Sequence, residues 1–80
     1  MRLDKYLKVS RIIKRRTIAK EFAENERVLI NGRTAKPSSE VKKGDIITLQ
    51  IGDRKTTFEV LDTRENVKAA EAKNLYQIIE

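Results

Sequence analysis

The eighty residues include no cysteine, no histidine and no tryptophan. Without thiols or imidazoles there is no disulfide, no thiolate zinc site, no imidazole metal ligand and no cysteine nucleophile. The missing cysteines also fit a reducing, cytoplasmic compartment. No apolar run approaches the ~20 residues that cross a bilayer. Lys5 and Lys8 interrupt the stretch where a signal peptide would carry its apolar core. Apolar residues make up 39 % and charged residues 38 %, against about 45–50 % and 25 % in ordinary globular chains. The length allows one domain, residues 1–80, with a small core and a heavily charged surface. A domain of this size leaves little room for a deep, dry catalytic pocket. No Walker loop, paired-carboxylate motif or metal cluster is present in the sequence. The chain therefore reads as a binding protein rather than an enzyme, and no cofactor is expected.

Charge is what the sequence has in excess. The net charge is +6, from 18 basic and 12 acidic residues. Residues 1–16 hold seven of the cations (Arg2, Lys5, Lys8, Arg11, Lys14, Arg15 and Arg16) against Asp4 alone, so that segment carries the whole surplus. Such polarity is the electrostatic footprint of a protein that meets a polyanion.

Leu3 and Leu7 stand one turn apart beside Tyr6, which predicts a short helix over residues 2–8. Val9 and Ile12 fall off that stripe, so the helix breaks near Val9-Ser10. A second helix starts around Arg16-Thr17, with Ile18, Ala19, Phe22 and Ala23 at helical spacing, and ends near Asn25. The period then changes to two. Val28–Ile30, the turn Asn31-Gly32 and Arg33–Ala35 predict a hairpin. Pro37 makes Lys36–Ser39 extended or turning, and Lys43-Gly44-Asp45 is a turn. Ile47, Leu49 and Ile51 alternate with Thr48 and Gln50 as a half-buried strand. After a turn at Gly52–Arg54, Phe58 and Val60 alternate with Thr57 and Glu59. Residues 66–73 are weakly helical, and Leu75–Ile79 closes as a strand. Helices followed by strands give an α+β plan.

These residues also form a family pattern. RLDKYL near the start, KRRTIAKEFAENERVLING in the middle, and KPS followed by VKKGD resemble the RNA-binding domain named after the fourth small-subunit ribosomal protein, the S-four domain. The resemblance covers residues 1–51 and leaves 52–80 as a C-terminal strand extension. It implies two N-terminal helices packed on a small, bent, mostly antiparallel sheet, with RNA held against the helices and the loop before the second one. The MRLDKYLKVSRIIKRRTIAKE opening, the short length and the NLYQII ending are most similar to stand-alone bacterial members. Those members imply binding to large ribosomal subunits obstructed by peptidyl-tRNA. Contact is with ribosomal RNA and tRNA, alongside an RqcH-like factor that adds alanine tails to stalled chains. A more distant branch implies a general, heat-shock-type role in ribosome recycling or assembly. One position departs from the pattern: Glu26 stands where many members have Gly, which assigns the helix-to-strand turn to Asn25.

The resemblance maps Arg16 onto an RNA-facing arginine before the second helix and Arg2 onto the arginine of the RLD motif. Arginine suits that task, because its planar fork matches phosphate oxygens and stacks on bases. Arg15 joins them at the helix entrance, where backbone amides and the helix dipole favour phosphate. Lys5, Lys8, Arg11, Lys14 and Lys20 are expected to add long-range attraction. Lys36 and Ser38 lie in the KPS loop, which in the family borders the RNA. Asp4 has no acidic or imidazole partner nearby, so it is expected to pair with Lys8 or to orient Arg2. Phe22 and Phe58 fall on core faces, while Tyr6 and Tyr76 are open to base stacking. Glu21, Glu24 and Glu26 form a solvated acidic face at the far end of the second helix.

Two other classes compete. A membrane-surface peptide would use the basic N-terminus, but its apolar stripe breaks at Val9 and holds no Trp or Phe. A helix-turn-helix on DNA has a similar outline, yet here a hairpin follows the second helix and nothing points to a dimer.

Overall fold

The computed structural model describes residues 1–79. Helix α1 spans Leu3–Val9 and buries Leu3, Tyr6 and Leu7. The chain then reverses through Arg11, at φ 61°, and re-enters as α2, Arg16–Glu24. Ala19 and Ala23 are the buried residues of α2; lying one turn apart and carrying only a methyl group, they let α1 and α2 approach closely.

Five strands follow: β1 (Val28–Ile30), β2 (Arg33–Thr34), β3 (Ile46–Ile51), β4 (Arg54–Val60) and β5 (Tyr76–Ile78), with a 3-10 helix at Ala69–Leu75. They form one sheet in the order β2-β1-β3-β4-β5, every neighbouring pair antiparallel. The β1–β2 turn has Asn31 at φ 52° and Gly32 at φ 82°, the two positive values that a type I′ hairpin requires. Asn31 also accepts from the Ile46 amide at 2.9 Å and donates to Asp45 at 3.1 Å, which ties the turn to β3. Val28, Ile47, Leu49, Phe58 and Val60 point inward and meet α1, α2 and Leu75 in one apolar cluster.

The loop after β2 is laced to the start of α1. The amides of Leu3 and Asp4 donate to the carbonyls of Ser39 (2.8 Å) and Pro37 (3.1 Å), and the Val41 amide donates to the Met1 carbonyl at 2.8 Å. The first two bonds satisfy amides that open any helix without an intrahelical partner. The third such amide, on Lys5, donates to the Asp4 carboxylate at 2.7 Å.

Four expectations need correction. Asn25 does not make the helix-to-strand turn: it sits at φ −92°, and Glu26 takes the left-handed conformation at φ 60°. The chain must reverse one residue later because Asn25 still closes the helix, with its amide and side chain both donating to the Glu21 carbonyl. Ile51 is not half-buried but 51 % exposed, since it is the last residue of β3, paired with Arg54 at the hairpin end. The segment 66–73 forms no α-helix; the helical part is shifted to 69–75 and is 3-10. The closing strand is shorter than Leu75–Ile79, because Leu75 ends the 3-10 helix and turns into the core.

Candidate RNA-binding surface

At the junction of α1 and α2 lies one buried carboxylate. The Asp4 side chain is 4 % exposed, whereas Arg2 and Arg16 remain 52 % and 47 % exposed. Arg2 grips it with two parallel bonds, Nε to Oδ1 and Nη2 to Oδ2, each 3.2 Å. Arg16 Nη2 approaches Oδ1 at 3.4 Å. Two guanidinium groups fourteen residues apart are thus held side by side. Asp4 offsets their repulsion and leaves other N–H groups of each facing solvent. The open choice for Asp4 is settled in favour of orienting Arg2, with Arg16 added and no pairing with Lys8 among the described residues.

Around this pair the structure sorts the other candidates. Lys20 stands one turn after Arg16 on α2, and Arg15 precedes that helix in extended conformation, exposed. No side chain caps the α2 N-terminus, which Arg16 opens, among the described residues. Lys36 and Ser38 are exposed in the loop that is bonded to the start of α1. On α1, Asp4, Lys8 and Lys5 share about 100° of arc, which continues the basic face toward a shallow cleft lined by Lys8, Arg11 and Lys14. The ten candidates Arg2, Lys5, Lys8, Arg11, Lys14, Arg15, Arg16, Lys20, Lys36 and Ser38 therefore divide into an arginine plate with its neighbours and a lysine-rich flank.

The flank holds a feature that sequence reasoning missed. Glu65 reaches back sixty residues and accepts from Lys5 Nζ at 2.7 Å. That hydrogen bond, and then the ammonium charge, hold the Glu65 carboxyl below the usual carboxylate range. Glu65 also lines the cleft with Lys8, Arg11 and Lys14, which lowers the positive potential there. No local signal announces such a contact.

Of the aromatic side chains, Tyr6 is no stacking platform: it is wholly buried, and its hydroxyl donates to the Leu75 carbonyl at 2.6 Å. Burial, then the nearby Tyr76 and Asp62, push its phenol well above the ordinary value. Phe58 packs in the core and meets Tyr76 edge to face, 5.7 Å between centroids. Phe22 is half-buried, with the Arg27 guanidinium 5.8 Å from its ring centroid. Beside Arg2 a cleft of about 610 Å³ opens between α2 and the loop after β2.

Among the described residues no group of three or more acidic side chains is gathered to hold a metal ion, and no helix is long and apolar enough to cross a membrane.

Known proteins share this framework. The S4 domain matches residues 1–47. The chain is 52 % identical over 79 residues to the RQC P-site tRNA stabilizing factor of Bacillus subtilis, covering 99 % of this chain and 92 % of that one. Heat shock protein 15 of Escherichia coli is 37 % identical over 78 residues, 96 % of this chain and 59 % of its own. The trimeric structure of heat shock protein 15 from Vibrio cholerae superposes with a TM-score of 0.88 at 37 % identity, covering 98 % of this chain and 80 % of that one. The chain belongs to the S4 domain family and, within it, to the family of the RQC P-site tRNA stabilizing factors.

Proposed function

We propose that this chain, acting as one unit over residues 1–80 and as a monomer, is a non-catalytic RNA-binding factor of ribosome-associated quality control. It binds large ribosomal subunits obstructed by peptidyl-tRNA in the cytoplasm, contacts ribosomal RNA and tRNA, and supports alanine tailing by an RqcH-like factor. The observation that carries the binding role is the convergence of Arg2 and Arg16 on the buried Asp4. Fork-shaped donors fixed side by side match two phosphate oxygens, or a phosphate and a base edge, better than mobile lysines would. The ribosomal setting rests on near-full-length similarity to a factor whose name places it at P-site tRNA.

Replacing Arg2 or Arg16 with Ala is expected to abolish co-sedimentation with large subunits at moderate salt, leaving weaker binding at low salt, while the melting temperature changes by only a few degrees. Undiminished co-sedimentation of both variants at moderate salt refutes the proposal. The resemblance in fold to heat shock protein 15 favours a second reading, a general factor in recycling or assembly. That reading predicts equal binding to large subunits with and without P-site tRNA.

A further inference from the structure

The basic wall does not end at the arginines; it turns into a cleft whose chemistry differs from that of a phosphate clamp. The floor is small and apolar, made by Ala23, Ala35 and Pro37, the two alanines buried. Arg2 and Lys20 stand on its rim, and Glu24 and Glu26 line it as well. Among the described residues neither carboxylate takes part in an ion pair. A site for phosphate alone would not carry two free carboxylates. At about 610 Å³, the cleft falls in the ~300–1,000 Å³ range of small-ligand sites.

The helix sets the spacing of these charges. Ala23, Arg16, Lys20 and Glu24 lie within about 100° of arc on α2, and Arg16 and Glu24 are about 12 Å apart along its axis. That is the order in which a nucleotide presents its parts: phosphate, sugar, then the Watson–Crick edge of the base. Arg2 faces both the Asp4 junction and the cleft, so a phosphate on the arginines delivers its own base to the alanine floor. Unpaired RNA bases are held in this way, between an apolar or guanidinium surface and groups that read the base edge.

We propose that the cleft is a pocket for one unpaired guanine, its N1–H and N2–H₂ donated in parallel to the carboxylate of Glu24 or Glu26. Guanine offers two adjacent donors on that edge. Adenine and cytosine each present one amine beside a ring acceptor, and uracil presents a single N–H between two carbonyls, so none of them fits a carboxylate equally well. The pocket rests on the RNA-binding role proposed above and adds a preference that phosphate contacts alone do not supply.

The full chain, labelled with nitrogen-15, is to be titrated separately with the 5′-monophosphates of guanosine, adenosine, cytidine and uridine. The guanosine nucleotide is expected to shift the amides of Ala23, Ala35 and Ser38 with about tenfold tighter binding than the others, the scale of one good bidentate pair. The double variant Glu24→Gln with Glu26→Gln is expected to lose that advantage while retaining its fold and its salt-dependent binding to RNA. Equal binding of the four nucleotides overturns the pocket, as do shifts that spare the cleft amides or a preference that survives the double substitution. Each of those outcomes leaves the large-subunit role intact. The role is tested separately, and falls if co-sedimentation ignores Arg2→Ala and Arg16→Ala.

Discussion

Asp4 carries a negative charge in the middle of the proposed RNA-binding surface. If charge alone governed binding, Asp4→Asn would strengthen it, because the net charge would rise. If Asp4 instead holds Arg2 and Arg16 in register, the same substitution weakens binding although the charge has risen. We expect a loss of about tenfold in RNA affinity, ~1.4 kcal/mol, measured beside an unchanged circular dichroism spectrum. A gain in affinity would show that Asp4 has no positioning role.

Tyr6 makes a different residue-scale prediction. Its phenol is raised from 10.0 in the folded chain, so the folded state keeps the proton longer than the unfolded state does. This contribution to stability is complete below pH 10 and is lost as pH rises from there through the folded value. Tyr6→Phe should cost about 1 kcal/mol at neutral pH, the worth of one hydrogen bond, and should remove that alkaline decline. The Leu75 carbonyl keeps the Leu61 amide as a partner at 2.8 Å, which limits the cost. Urea unfolding of both proteins between pH 7 and 11 isolates the effect, since lysine titration is common to the two. Parallel curves would contradict it.

At the scale of elements, the helix-to-strand turn stores backbone strain, as the reversal at Arg11 does. A left-handed conformation costs a side chain roughly 1–2 kcal/mol, and Glu26 adopts it at φ 60°. Glu26→Gly relieves that cost and gives back part of it as unfolded-chain entropy. The expected net gain is about 0.5–1 kcal/mol, seen as a rise of a few degrees in melting temperature; a fall would mean that the Glu26 side chain stabilises the turn. This turn was also where the sequence misled, and the reason is physical. Asn25 has the better intrinsic tolerance for positive φ, but its position is decided by the helix it closes. The break after Val9, the Asn31-Gly32 hairpin and the inward set Ile47, Leu49, Phe58 and Val60 were legible, because period and turn chemistry act over a few residues. Ile51 was not, because alternation gives the face of a strand but not the burial of its last residue, which here pairs with Arg54 at the hairpin end. The candidate site divides in the same way. The basic run could be read directly, but the meeting of Arg2 with Arg16 on Asp4 and the return of Glu65 onto Lys5 depend on contacts across the fold.

Across the whole molecule, the last third of the chain closes over the first. Phe58, Val60 and Leu75 share one apolar cluster with Leu3, Tyr6 and Leu7, and the Tyr6 hydroxyl and Lys5 side chain fasten α1 to Leu75 and Glu65. The helices that carry the cations therefore rest on the full sheet, which restricts how far the guanidinium groups can move apart. Rigidity of this kind matters for binding, because less side-chain freedom is lost when RNA arrives. The central claim is that these fixed cations, rather than diffuse positive charge, meet the phosphates of folded RNA. It is tested most directly by the salt dependence of binding to large-subunit RNA, for the parent chain and for Arg16→Ala. With about four to six phosphates neutralised, the log–log slope should lie near −3 to −5, and the substitution should flatten it by about one. A slope near zero, or one that Arg16→Ala leaves unchanged, would contradict it.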